Sequence, residues 1–173
     1  MPSNVEIKAR LRDRENVERL VRERADHGPE LIVQEDVFFP CDAGRLKLRT
    51  FSYGRGELIF YRRLDTKGPT ESEFFKAPTS DPTAMATAMK AALGEIGKVR
   101  KRRTLYLVGQ TRIHLDEVEG LGDWLELEVV LEPGQNTDVG ARVAGDLMLA
   151  FGIREDDLEA RAYIDLLTLK EQP

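Results

Sequence analysis

Charged side chains return at alternate positions in several stretches of this chain: Glu6, Lys8 and Arg10; Arg45, Lys47 and Arg49; Lys101 and Arg103; Arg112 and Asp116; Glu126 and Glu128. Successive side chains of a strand point to opposite faces, so each set shares one face. Asp36, Arg63 and Lys76 join that face by the parity of their own strand-like segments. Two chemistries are legible in the set. Arginine grips phosphate oxygens with a bidentate fork and lysine adds a compact point charge, so the cations suit a polyphosphate. Glu6, Glu126 and Glu128 are hard oxygen donors of the kind that hold Mg²⁺ against substrate phosphate. Cations for phosphate and carboxylates for a divalent metal are together the requirement of phosphoryl or nucleotidyl transfer.

The individual residues keep alternatives. Asp116 either holds metal or orients an arginine. His114, on the face of Arg112 and Asp116, is either a base or a structural histidine. The glutamates could instead be inward charges that discourage pairing at a sheet edge, and the cations a solvated face. No Walker loop is present, and Gly54-Arg55-Gly56 and Gly120-Leu121-Gly122 read as turns.

The elements that must position these residues are mostly strands. The opening strand, Asn4 to Leu11, sets Val5, Ile7, Ala9 and Leu11 on an apolar face opposite the charged one. Asp13 is an N-cap candidate for a helix over Arg14 to Ala25. Strands follow over Leu31 to Phe39, Arg45 to Phe51 and Glu57 to Arg63, joined by turn-like segments. Ser72 to Lys76 is a short, edge-like strand. Asp81-Pro82 starts a helix whose Met85, Met89, Ala92 and Leu93 form a core-packing stripe. Gly97 to Val108 and Thr111 to Val118 make a hairpin across Gly109-Gln110, and Trp124 to Leu131 is the last strand. Helical segments close the chain at Asp138 to Phe151, Arg154 to Leu158 and Ala162 to Leu169. Trp124 is expected outside the sheet, under a helix. Tyr163 and Asp165 are placed to close one mouth of an enclosed interior, or Tyr163 to pack in the core.

This is an α+β pattern of about eight hairpin-linked strands, and so many charges facing one way favour closure into a barrel. An ionic interior must be wet and occupied, because buried unpaired charges cost several kcal/mol each.

At 173 residues the chain is long enough for one sizeable core, and residues 1–173 are read as a single domain. Its 26 basic and 31 acidic side chains give −5, which argues against a general binder of nucleic acid or anionic membrane. The basic residues concentrate in strands and many acidic ones in helices and loops, so a small polyanion could still be drawn inward. The lone Cys41 cannot form an internal disulfide, no apolar signal run opens the chain, and no segment approaches membrane-spanning length. A cytoplasmic protein without membrane partner is expected, and a homodimer stays open.

Val5-Glu6-Ile7-Lys8, Gln34 to Phe39, Arg45 to Arg49, Lys101 and Arg103 before Leu105-Tyr106, Ile113 to Asp116, and Leu121-Gly122 followed by Glu126-Leu127-Glu128 resemble, in order and parity, the CYTH superfamily of triphosphate tunnel metalloenzymes. The overall look is most similar to its class IV adenylyl cyclase-like members. The resemblance implies a closed eight-stranded antiparallel β-barrel with flanking and C-terminal helices, forming a tunnel that binds a triphosphate and uses Mg²⁺ or Mn²⁺. It implies a small-molecule triphosphate substrate: inorganic triphosphate, ATP or thiamine triphosphate. Glu6, Glu126, Glu128 and Asp116 are the metal candidates, and Glu6, Lys8, Glu126 and Glu128 the catalytic ones. The phosphate-binding candidates are Lys8, Arg10, Arg45, Lys47, Arg49, Arg63, Lys76, Lys101, Arg103 and Arg112. The family opens E-x-E-x-K; here the first position is Asn4, an amide without charge. The expected reaction is hydrolysis. The alternatives are cyclisation of ATP to cyclic AMP with release of pyrophosphate, and a sensor that binds polyphosphate or nucleotide without chemistry.

Overall fold

The structure is a computed structural model and describes residues 2–172. Eight strands run as β1 (Ser3–Arg10), β2 (His27–Phe39), β3 (Arg45–Phe51), β4 (Gly56–Arg63), β5 (Thr70–Thr79), β6 (Gly97–Val108), β7 (Thr111–Val118) and β8 (Gly122–Val130). They close into one antiparallel barrel in the order β1-β5-β4-β3-β2-β6-β7-β8. Closure settles the meaning of β5. It is ten residues long and pairs with both β1 and β4, so it is neither short nor an edge. Its Pro78, which weakens a strand reading because it cannot donate to a ladder, lies near the strand's end. With the barrel closed, inward charges have no edge to protect.

Helices α1 (Arg14–Arg22), α2 (Pro82–Leu93), α3 (Thr137–Ala150) and α4 (Tyr163–Glu171) cover the outside and one end. The side chains of Asp13 and Asp81 accept hydrogen bonds from the backbone N–H of Asn16 and Ala84, so aspartate caps start α1 and α2. Residues 154–158 form only one 3-10 turn, Glu155–Asp157.

Strand parity divides two environments. Ile7, Ala9, Ile113, Leu115, Leu125 and Leu127 face outward and form the main core with Val17 and Val21 of α1 and Leu147 and Phe151 near the end of α3. At Gly140 a side chain would collide with Val5, so glycine lets α3 lie close on β1. Val37, Phe39 and Leu48 bury against Met85 and Met89 of α2, as the methionine stripe predicts, whereas Ala92 and Leu93 at the end of the expected stripe are exposed. Among the described residues, no helix is long and apolar enough to cross a membrane.

Trp124 departs from expectation. It shares inward parity with Glu126 and Glu128, and it is fully buried with Phe38, Val99 and Tyr163 across one end of the barrel. Trp124 and Tyr163 meet edge to face at 5.7 Å, and Arg10 lies over the indole at 4.5 Å. The tryptophan thus lies inside the barrel end and not on the outer wall, and the helix it packs under is α4, through Tyr163, Ile164 and Leu166.

Candidate functional site: an ionic cavity inside the barrel

The inner faces of the strands converge on a cavity with about 100 Å³ of free space. Its lining holds eight cations, Lys8, Lys47, Arg49, Arg63, Lys76, Lys101, Arg103 and Arg112, against the four carboxylates Glu6, Asp36, Glu126 and Glu128. The excess of positive charge stands inside a chain that is negative overall.

Three sets of pairs organise the interior. Arg49 makes a bidentate bond to Asp36, 2.8 Å on each arm, and Lys47 Nζ adds a contact at 2.9 Å. Arg103 makes a second bidentate bond to Asp116, at 2.7 and 2.8 Å, which Lys101 and the Tyr163 hydroxyl complete at 3.1 and 3.0 Å. Arg103 Nη2 also reaches Glu126 Oε2 at 2.6 Å, while Lys8 Nζ stands 3.7 Å from Glu126 Oε1. The third set is Arg63 to Glu6, 2.9 Å. Lys8 and Arg63 further donate to the backbone carbonyls of Arg161 and Ala160, both at 3.0 Å, where the segment before α4 crosses the barrel end. Lys76, exposed at the rim, has no carboxylate partner among the described residues.

Burial and neighbours divide these groups by charge state. Burial and the negative charge of Glu128 push the Glu6 carboxyl up to about 7. Burial lowers Lys8 to about 8 and Lys47 to about 8, with Glu126 and Asp36 respectively resisting the shift. Burial works against ionising Asp36, but Arg49 and then Lys47 hold it well below the usual carboxylate range. Burial likewise opposes Glu126, and Lys101, His114, Arg103 and Lys8 outweigh it, so Glu126 remains ionised. Burial and then the charge of Arg103 lower His114, which favours its neutral form.

Most of the residues expected from parity therefore meet, and three do not. Arg10 is exposed, its guanidinium over the Trp124 ring, and does not line the cavity. Arg45 is drawn to Asp65 at 2.9 Å and Asp165 at 2.7 Å, at the rim by α4, and does not line the cavity. Asp116 lies behind Lys101 and Arg103, where every near contact is a cation or the Tyr163 hydroxyl, so it orients cations instead of joining the other carboxylates. The arginine-orienting alternative describes it.

Two neutral residues gain importance. His114 Nδ1 stands 3.8 Å from both Glu126 Oε2 and Glu128 Oε1, and the three side chains form a group whose donor atoms lie within 4.8 Å of one another. Their register explains it: His114 pairs with Glu126 across β7 and β8, and Arg112 with Glu128. Parity with Arg112 and Asp116 is the signal in the sequence. Asn4, 3% exposed, lines the cavity two positions before Glu6, and its Oδ1 has no hydrogen-bond partner among the described residues. A buried acceptor left unpaired in this way suits a ligand or metal.

Comparison with known proteins places this geometry in a family. A family model described as the CYTH domain matches residues 3–163. A curated relative, adenylate cyclase CyaB of Aeromonas hydrophila, is 29% identical over 99 residues, covering 56% of this chain and 51% of the relative. The alignment thus spans about half the length of that protein. Among solved structures, the PH1012 protein from Pyrococcus horikoshii OT3 superposes with a TM-score of 0.85 at 26% identity, covering 94% of this chain and 98% of the other. HpAC1 from Hippeastrum, described as revealing a dominant triphosphatase activity, has a TM-score of 0.66 at 18% identity over 98% of this chain and 97% of its own, a likeness of fold.

Proposed function

The chain belongs to the CYTH domain family, and from that premise we propose that it hydrolyses a triphosphate held with a divalent cation inside the barrel. The observation that carries this reading is the lining itself, eight cations against four carboxylates around one cavity in the barrel. With Asp116 behind Lys101 and Arg103 counted as a fifth carboxylate, the excess is about three positive charges, which a triphosphate chain can complete.

The pairs in the cavity explain how so many charges tolerate burial. Each carboxylate neutralises cations until a ligand arrives, and a triphosphate exchanges those partners for phosphate oxygens. Arg49, Arg63 and Arg112 offer forks from different walls, and Lys47 and Lys76 offer point charges between them. This clamp orients the chain and neutralises the charge that builds on the transferring phosphoryl group.

The donor set fits a divalent metal. Glu126 and Glu128 are ionised oxygen donors on one strand; the unpartnered Asn4 Oδ1 belongs to the cavity lining, and the unpartnered His114 Nδ1 faces the two glutamates at 3.8 Å. Glu6 pairs with Glu128 between β1 and β8 and would complete the acidic wall. Such an ion supplies charge neutralisation at the phosphates and lowers the pKa of a bound water. In the metal-free protein the Glu6 carboxyl, raised to about 7, can hold a proton near neutral pH.

Hydrolysis is favoured over cyclisation because it needs only a water beside the held phosphates and no pocket for a nucleobase. The lone cysteine is in keeping with a reducing cytoplasmic setting.

Product analysis tests the reading. The purified chain is incubated with inorganic triphosphate, ATP or thiamine triphosphate and Mg²⁺ or Mn²⁺. Orthophosphate release is the expected outcome. Pyrophosphate with cyclic AMP would replace it with the cyclase, and metal-independent binding without products would replace it with a sensor.

A further inference from the structure

The geometry points to a mixed nitrogen and oxygen metal site in this chain, in which His114 Nδ1 joins Glu126 and Glu128 as a direct ligand and selects Mn²⁺ or Co²⁺ over Mg²⁺. The inference rests on the metal-bound triphosphate reading above and adds to it an imidazole ligand and a metal preference.

His114 is buried on the inner face of β7, 5% exposed, directly across from Glu126. A histidine in that position with a purely structural role should satisfy both ring nitrogens. Nδ1 has no hydrogen-bond partner among the described residues, and the carboxylate oxygens that face it stand 3.8 Å away on each side, beyond hydrogen-bond reach. A buried ring nitrogen is therefore aimed between two acids and bonded to neither.

That spacing is close to what a shared ion needs. Metal–nitrogen and metal–oxygen bonds of about 2.0–2.2 Å put neighbouring donors on one ion roughly 3–3.5 Å apart. The two 3.8 Å separations, in a group whose donor atoms all lie within 4.8 Å, therefore close on an ion by an inward movement of the side chains.

Of the two oxygens that face Nδ1, Glu126 Oε2 is held by Arg103 and Glu128 Oε1 is not held by a cation. Arg103 contacts Glu126 Oε2 at 2.6 Å, Lys8 stands 3.7 Å from Oε1, and Arg112 Nε lies 3.2 Å from Glu128 Oε2. Glu128 Oε1 faces His114 alone among the close ionic contacts of the described residues. A triphosphate entering the cavity would draw Arg103, Arg112 and Lys8 toward phosphate oxygens and release the remaining carboxylate positions.

The ligand type then sets selectivity. Mg²⁺ demands hard oxygen donors and dehydrates reluctantly, whereas imidazole suits first-row transition ions, whose affinity for a given site rises from Mn²⁺ through Co²⁺. A wall of glutamates alone would carry no such preference.

Pulsed EPR of the wild-type protein with Mn²⁺ and inorganic triphosphate reads the ligand directly. A coordinated ¹⁴N coupling is expected. His114→Gln should abolish that coupling and weaken Mn²⁺ binding by about tenfold while changing Mg²⁺ affinity less than about twofold. Mn²⁺ bound with triphosphate but with oxygen ligands only in the wild type would overturn the histidine ligand and leave the triphosphate reading standing. Absence of any Mn²⁺ binding, with or without triphosphate, would overturn both. Because the coupling is measured on the wild type, a poorly folded variant does not blunt the test.

Discussion

One strand of this barrel carries five basic residues in six positions and sends them to two different fates. Lys101 and Arg103 point inward from β6, nearly inaccessible, and are locked to Asp116. Lys98, Arg100 and Arg102 point outward and are exposed; Arg100 and Lys98 share Glu35, at 2.6 Å and 3.9 Å. The residue types are the same, so composition cannot distinguish them. What differs is solvent. Outside, water screens each charge and an ion pair contributes little. Inside, each charge must be matched by another protein group or by a ligand, and an array with excess cations is completed by an anion.

That contrast orders the expected effects of substitution. The largest belongs to Arg103→Met, which strips Asp116 of its bidentate partner and Glu126 of its shortest contact. Loss of about 3–5 kcal/mol of stability is expected, as for other buried charges left without a partner, together with loss of triphosphate binding. Denaturant titration and calorimetry measure the two. A midpoint close to wild type would mean that water reaches Asp116.

Glu126→Gln should come next. It keeps the shape of the wall and removes an ionised oxygen donor, so turnover should fall on the order of 100-fold with much of the triphosphate affinity retained. Steady-state phosphate release and calorimetric binding separate the two. Equal losses in both would make Glu126 a binding residue alone.

A smaller effect is read in the pH profile. Lys8 and Lys47, each lowered to about 8 by burial, are charged below that pH and neutral above it in the ligand-free protein. Affinity for triphosphate should therefore decline as the pH rises through about 8. The sign for stability is opposite. Burial disfavours the charged lysines in the folded state, so their contribution to the stability of the ligand-free protein improves as the pH rises from about 8 toward the ordinary lysine value. Lys47→Arg, which stays charged, should flatten the binding profile, and an unchanged profile would remove Lys47 from the clamp.

Arg100→Ala and Arg102→Ala should be the mildest. Neither the unfolding midpoint nor triphosphate turnover should move measurably, because both side chains stand in water on the outer face. A loss of turnover in either would place the functional surface outside the barrel.

Much of this division is legible in the sequence because a strand's period of two is rigid. Once Glu6, Arg49 and Arg103 are assigned to the charged faces of their strands, closure carries them inward together. Parity fails where it is silent about neighbours. It places Asp116 inside correctly but cannot say that Lys101, Arg103 and Tyr163 would surround it, since Tyr163 arrives from a helix 47 residues later. It also places Trp124 inside; the expected helix contact is made, by α4, but across the barrel end instead of on the outer wall. Arg10 and Arg45 lie at strand ends, where the barrel wall gives way to the floor and rim, and alternation no longer guarantees access to the cavity. The pairing of His114 with Glu126 depends on the register of β7 against β8, which the Gly120-Leu121-Gly122 turn fixes only once the hairpin is built.

The most direct test is a crystal structure of the protein with inorganic triphosphate and Mn²⁺. The phosphate chain is expected inside the barrel, within hydrogen-bond reach of Arg49, Arg63 and Arg112, with the contacts of Arg63 to Glu6 and Arg112 to Glu128 loosened. Triphosphate bound instead along Lys98, Arg100 and Arg102, with the inner pairs intact, would contradict it.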